Sequence, residues 1–476
     1  MKPRFLHIPT KYMKFPITFL ILSTWFVLIS QSLGSEAIPD GTHVQSLKAE
    51  PSAIELKNRY DYAQILVTAQ LSTGDFVDAT RMVKWSVPDS LATINDHGFL
   101  EIKGDGEGMV TASFDGQSIE IPVKISGSTK EFKPDYVQDV NPVISRMGCN
   151  MGTCHGSKDG KNGFKLSLRG YDPIYDLRSF TDDLASRRVN LASPDDSLML
   201  LKSTAAVPHE GGQLCKPGTP YYEIVRAWIA DGVPYDKTSA KVASITVVPQ
   251  NPVVQEIGAT QQMRVVATFA DGRQRDVTRE AYVESGNIEV AAVMKDSPAL
   301  VKVLRRGEAP VLIRFEGAYA ATTITAMGDR TGFVWEDTSA YNEIDRLVAA
   351  KWKRMKIRSS EVCNDYEFVR RAYLDLTGLP PTSDQVREFV ADARHSQVKR
   401  DALIDGLVGS EEYITYWTNK WADLLQVNRK FLGAEGAVGF RDWIRNEVAN
   451  NTPYDEFCRK VITASGSNKE NPPASY

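Results

Sequence analysis

The chain has 476 residues, 42% hydrophobic and 24% charged, with 56 Lys and Arg against 60 Asp and Glu for a formal charge of −4. That length calls for several domains rather than one core, and the mildly acidic balance argues against a nucleic-acid partner. Five scattered cysteines, Cys149, Cys154, Cys215, Cys363 and Cys458, exclude a disulfide-built scaffold.

Residues 1–34 carry Lys2, Arg4, Lys11 and Lys14, then an uncharged apolar run from Phe15 to Gly34 that ends in small residues. This is the pattern of a secretory signal, with an uncleaved anchor as the rival because the run approaches the length of a membrane span. Either way the remainder is expected outside the cytoplasm, in the periplasm or at the cell surface, and at a membrane only through this segment if at all. Without it the chain keeps 52 basic against 60 acidic residues, a formal −8.

Residues 46–127 alternate short apolar stretches with Gly, Asp and Asn turns, which predicts an antiparallel β-sandwich. The next segment, 134–237, changes character. Asn141 and Pro142 read as a helix cap and first-turn pair, and Val143, Ile144 and Met147 form an apolar stripe leading into "GCNMGTCHG" at 148–156. Covalent haem attachment uses two cysteines and a histidine directly after the second, usually as Cys-x-x-Cys-His. Here four residues separate Cys149 from Cys154, and His155 follows; Gly152 is the residue expected to let the extra length bulge out. A Cys149–Cys154 disulfide and a zinc clip are the other readings that spacing allows. The first leaves His155 unexplained, and the second finds only His209 and Cys215 as further ligands, six residues apart.

Downstream, Ser193-Pro194 and Thr219-Pro220 each cap a predicted helix, and Val225, Trp228 and Ile229 share one face before Gly232. With "GFKLSLRGYDP", "RRVNLASPDDSLMLLKST", "VPHEGG" and "YEIVRAWIADGVPY", the segment resembles the planctomycete-type cytochrome c-like domain with a lengthened cysteine loop. The resemblance implies haem c on Cys149 and Cys154 with His155 as axial iron ligand. For the sixth position, Met151 sits in the proximal loop and Met199 lies on an apolar helical face, so His209 in its glycine-flanked loop is the candidate. His/His ligation favours a lower potential than His/Met.

Residues 243–328 repeat the first β-module: Gly74, Asp78 and Thr80 recur 198 residues later as Gly272, Asp276 and Thr278, and "FDG" at 114 recurs as "FEG" at 315. Both copies resemble the bacterial immunoglobulin-like (group 2) domain, although the second has no counterpart of Trp85. After Trp335 the texture becomes helical, with Ile344, Leu347, Val348, Trp352 and Met355 on one face and helices predicted at 383–393, 397–408, 411–427 and 437–450. Cys215 reads as an inert loop thiol, His395 as a solvated linker residue, and Trp417 and Trp421 as core. With "RRAYLDLTGLPPT", "KWADLLQVNRKFLG" and "NTPYDEF", the region 336–476 resembles the helical domain of unknown function that accompanies such cytochrome c-like domains, and it is expected to continue past Tyr476.

The fold expected is therefore multidomain: two all-β immunoglobulin-like sandwiches flanking an all-α cytochrome c-like domain, then an all-α domain that is truncated. The sequence holds no Ser-His-acid order, phosphate-binding loop or paired-His zinc motif, so no catalytic constellation is indicated. The first functional reading is an exported haem c protein that transfers electrons to an unidentified redox partner at the envelope. The alternative is a haem-free surface scaffold that meets a cell-surface protein or polysaccharide, or an accessory part of a polysaccharide-degrading system.

Overall fold

The computed structural model describes residues 36–476 apart from 296, 329 and 331. The signal segment expected at 1–34 lies outside them. The chain divides into two compact units, up to Ile357 and from Arg358 to Tyr476. No helix among the described residues is long and apolar enough to cross a membrane.

The first unit opens with ten strands: β1 (Val44–Glu50), β2 (Ile54–Leu56), β3 (Tyr62–Gln64), β4 (Leu66–Leu71), β5 (Phe76–Asp78), β6 (Lys84–Ser86), β7 (Ala92–Ile94), β8 (Phe99–Ile102), β9 (Gly106–Phe114) and β10 (Gln117–Ile125). They form sheets ordered β1-β4-β5, β2-β10-β9-β6 and β3-β8-β7. Alternate residues of the long strands point inward, so that Val110, Ala112, Ile121, Val123 and Ile125 are buried while Glu120 and Lys124 face water.

The arrangement returns as β11 (Val242–Val248), β12 (Val253–Val254), β13 (Thr260–Gln262), β14 (Arg264–Phe269), β15 (Gln274–Asp276), β16 (Tyr282–Ser285), β17 (Ala291–Val293), β18 (Leu300–Val303), β19 (Gly307–Phe315) and β20 (Ala318–Ala326), with the same sheet orders shifted by ten. The offset is 198 residues as far as β16 and 201 from β18 on, so the second copy has gained residues around β17. Two β-sandwich regions are thus present, and the repeat seen in the sequence is a structural repeat.

The recurring Asp and Thr have a shared job. Asp78 Oδ1 accepts from the Thr80 amide at 3.0 Å and Asp276 Oδ1 from the Thr278 amide at 3.1 Å, closing each turn. The threonine hydroxyls then accept from Val67 N and Val265 N, at 3.0 and 2.9 Å, inside their own sandwiches. The second carboxylate oxygen of each aspartate crosses to the other copy: Gln262 N donates to Asp78 Oδ2 at 2.5 Å, and Gln64 N donates to Asp276 Oδ2 at 3.0 Å. Residues 64 and 262 are themselves repeat equivalents, so the sandwiches clasp each other reciprocally. Arg81 lies 3.1 Å from Asp78, and Arg264 lies 2.8 Å from Asp276, so neither carboxylate is buried without a cation. Tyr62 extends the seam, donating to Glu280 at 2.6 Å while Arg279 stacks 4.4 Å above its ring.

Between the sandwiches the chain is helical, with α1 (Asn141–Arg146), α2 (Pro173–Thr181), α3 (Leu198–Ser203) and α4 (Pro220–Ala230) joined by turns and short 3₁₀ pieces. Tyr136, Val143, Ile144, Leu166, Phe180, Leu200, Trp228 and Ile229 form its core. The cap expected at Asn141 lies elsewhere: a tight turn over Tyr136–Val140, capped by Asp135, runs directly into α1. Asn141 is instead fully buried, donating to Glu316 Oε2 of the second sandwich at 2.6 Å. Ser193 and Pro194 open only a 3₁₀ turn ahead of α3. Arg275, 2.7 Å from Asp139, and Tyr282, donating to Ser145 O at 2.6 Å, tie the segment to the second sandwich.

After the second sandwich, α5 (Glu343–Arg354) reaches back to it: Lys351 and Arg354 both lie 2.6 Å from Glu308. Of the face expected to be apolar, Met355 is buried while Ile344 and Leu347 are exposed.

The second unit is all helical, with α6 (Asp365–Thr377), α7 (Ser383–Ala391), α8 (Ser396–Leu407), α9 (Glu411–Leu424), α10 (Arg429–Ala449) and α11 (Tyr454–Ile462). Helix α10 starts earlier than its periodicity implied, with a break at Gly433, whose φ of 72° a side chain would resist. Trp421 and Trp443 lie 5.1 and 5.2 Å from Phe457 between ring centroids, Trp421 being partly rather than fully buried. Exposed His395 caps α8, its Nδ1 accepting from Gln397 N at 3.3 Å.

The clasp makes a stability prediction. Asp276→Ala strips a buried arginine and two amides of their acceptor and should cost about 3 kcal/mol. Asp115→Ala, which removes the single 2.7 Å bond from Val44 N, should cost about 1 kcal/mol. Calorimetric unfolding of the two variants checks the ranking.

Candidate functional site

Helix α1 ends at Arg146, and Gly148, at a φ of 82°, turns the chain so that Cys149 N donates to Ile144 O at 3.2 Å. The loop then closes on itself. His155 N donates to Cys149 O at 3.0 Å, Cys154 N to Met151 O at 2.9 Å and Gly156 N to Met151 O at 3.0 Å. The extra residues between the cysteines bulge outward as expected, with Met151, Gly152 and Thr153 exposed. The tight glycines are different ones, however. A Cβ on Gly152 would meet only Leu168 at 3.6 Å, whereas one on Gly156 would lie 2.0 Å from Asn150 O. The close approach of two backbones therefore falls after His155.

Cys149 and Cys154 are half-buried, and all five cysteines are free thiols. Burial pushes the Cys149 thiol up to about 12, so it stays protonated at neutral pH. Cys215 is buried with its Sγ 3.3 Å from Ser203 Oγ, and burial raises it too, matching the inert reading.

His155 is held on two sides. Its Nδ1 lies 3.0 Å from Phe164 O, and its ring packs on Phe164 at 4.6 Å between centroids, with Arg188 4.4 Å over the same Phe164 ring. The carbonyl accepts, so Nδ1 carries the proton and the lone pair resides on Nε2. Burial lowers the His155 pKa, the Phe164 carbonyl opposes that, and the charge of His209 lowers it further. His209 repeats the arrangement: its Nδ1 lies 3.0 Å from Gly212 O, again leaving Nε2 as the acceptor. A Cβ on Gly211 would come within 2.9 Å of this imidazole, which would have to shift to admit it.

Of the sequence-chosen residues, Cys149, Cys154 and His155 lie in one closed loop, and His209 lies in a separate loop ahead of α4. Met199 packs against the segment's core. No cluster of three or more His, Cys, Asp or Glu suited to a metal occurs among the described residues, which leaves the zinc clip without a ligand set. Two cavities of the unit, of 580 and 430 Å³, open elsewhere.

Sequence reasoning missed Asp176. It is buried beneath the loop that follows the motif, accepting from Ser167 N at 2.5 Å and Ser167 Oγ at 2.7 Å. Burial, partly offset by those bonds, raises its carboxyl to about 6. An acid at the inward position of an amphipathic helix was the available signal.

Residues 343–475 match the family PSCyt2, a protein of unknown function (DUF1549), in agreement with the helical domain recognised from sequence. The match leaves 134–237 outside it, so the cytochrome c-like reading of that segment rests on its residues alone. No curated protein matches. Solved structures with similarity include surface layer protein SbsC, domains 1–6 (8% identity, TM-score 0.17, 60% of this chain and 28% of that one) and the S-layer protein SbsC, domains 5–6 (9%, 0.22, 60% and 99%). Extracellular domains 3–5 of Drosophila OTK are a third (8%, 0.13, 60% and 63%). The chain spans less than a third of the first of these.

Asp176 sets a pH dependence. Its folded pKa lies above the usual value near 4, so the native state binds the proton more tightly and stability falls as pH rises from about 4 to about 6. Asp176→Asn, which keeps an acceptor for Ser167, should flatten that decline in denaturant titrations between pH 4 and 7.

Proposed function

We propose that the chain is an extracytoplasmic scaffold in which two mutually clasped immunoglobulin-like sandwiches hold a helical segment in one fixed setting for contact with another surface molecule. The reciprocal bonding of Asp78 and Asp276 carries this reading. A string of spacer modules needs only a linker between them. Here buried carboxylates and paired arginines fix one sandwich against the other, which suits presentation rather than reach. The uncharged N-terminal run agrees with an export signal.

A second reading, favoured by the two histidines, gives the segment a cofactor. His155 and His209 both have Nδ1 occupied by a backbone carbonyl and Nε2 available, the tautomer that iron ligation requires, and Cys149 and Cys154 are free on either side of the bulged turn. This donor set would suit haem c: Cys149 and Cys154 would hold it covalently, and His155 and His209 would offer their Nε2 atoms to the iron. Bound there, haem would supply one-electron transfer. The chain's own part is to fix the imidazole through Phe164 O, to keep His155 neutral by burial and to close the loop through the His155 amide.

One preparation separates the readings: the full chain exported from a strain competent in c-type maturation. If haem is carried, a pyridine haemochrome spectrum survives denaturation and disappears in Cys149→Ala plus Cys154→Ala, and the absorption spectrum of the folded protein shifts in His209→Ala. A colourless, folded product removes the haem reading. Protease added to the intact cells should release fragments of 46–328, and a chain cut only after lysis would contradict the scaffold reading.

A further inference from the structure

A cavity of 580 Å³ in the first unit lies between the helical segment and the second sandwich and falls in the size range of small-ligand sites. Its floor contains a row that the repeat makes conspicuous. Tyr282, Arg314 and Tyr319 stand directly opposite one another on β16, β19 and β20. The same register in the first sandwich holds Lys84, Ser113 and Ser118. The two copies share a fold, so stability of the module does not ask for tyrosine and arginine at these positions.

The row is built to leave a cation available. Arg314 lies 4.2 Å over the Tyr282 ring, which is anchored by its hydroxyl bond to Ser145 O, and the buried Arg314 Nε has no hydrogen-bond partner. The two acids that line the cleft are committed elsewhere: Glu280 to Tyr62 and Arg279, Glu316 to Asn141. Its three cations, Arg169, Lys241 and Arg314, have no ion-pair partner among the described residues. Tyr319 and, from the facing loop, Tyr171 remain 58% and 90% exposed.

We propose that this cleft binds an acidic oligosaccharide, a chain of sugar rings bearing carboxylates, with Arg314 receiving a carboxylate and Tyr171 and Tyr319 receiving ring faces. A guanidinium held flat on an aromatic ring offers its planar donor edge to a planar carboxylate. Exposed tyrosines offer flat apolar faces and a hydroxyl together, matching a ligand whose ring faces carry C–H groups and whose edges carry hydroxyls. The assignment stands independently of haem on the Cys-His loop.

Isothermal titration of the full chain tests it with trigalacturonate, its methyl ester and triglutamate. Trigalacturonate is expected to bind about tenfold or more tightly than the ester, Arg314→Gln to abolish that preference, and Tyr319→Ser, which installs the first sandwich's residue, to weaken both sugars severalfold. Absence of trigalacturonate binding, equal binding of acid and ester, or triglutamate binding as tightly as the sugar would overturn the proposal. The ester comparison and Tyr319→Ser decide the matter if Arg314→Gln fails to fold.

Discussion

Two carboxylates, Asp78 and Asp276, each close a turn with one oxygen and bind the partner sandwich's backbone with the other. A buried amide without an acceptor is expensive, and a buried carboxylate without a cation more so, so each aspartate is useful only when both sandwiches and both arginines are in place. The helical segment is attached at either end to sandwiches that are already fixed against each other, and it adds Tyr282, Arg275 and Glu316 as further ties. Placement of the Cys-His loop therefore follows from the clasp.

Duplication explains the economy of the arrangement. Because the two modules are copies, one motif supplies both halves of the seam, and differences between the copies mark where they have diverged in use. At the end of the β9–β10 hairpin Asp115 binds its own Val44, while Glu316, one methylene longer in the equivalent turn, reaches out to Asn141. The Tyr282–Arg314–Tyr319 row replaces a plain polar row in the same way. Structure thus assigns the first copy mainly to the seam and the second to the seam, the helical segment and the cleft.

Local signals in the sequence were legible wherever the deciding contact lies within a few residues. The strand alternation, the repeat, the Thr219-Pro220 start of α4 and the bulge between Cys149 and Cys154 belong to this class. Readings failed where a distant residue decides. Asn141 has a cap's chemistry, but Glu316, 175 positions away, takes its side chain. Gly152 looked like the flexible point, yet Gly156 meets the crowding, because the backbone of Asn150 folds back against it. Asp78 and Asp276 were recognisable as turn residues, while their second role joins residues 184 and 212 positions apart and leaves no trace in either local pattern.

The interlocking of the sandwiches is tested most directly by cutting the chain between them. A protease site placed in the exposed turn at 129–131 severs the covalent link between the first sandwich and the helical segment, and size-exclusion chromatography then reports whether the pieces stay together. The two fragments are expected to co-elute for the wild-type chain and to separate when Asp78→Ala and Asp276→Ala are combined. Fragments that separate in the wild-type chain, or that remain together in the double variant, would contradict the clasp as the interaction that sets the architecture.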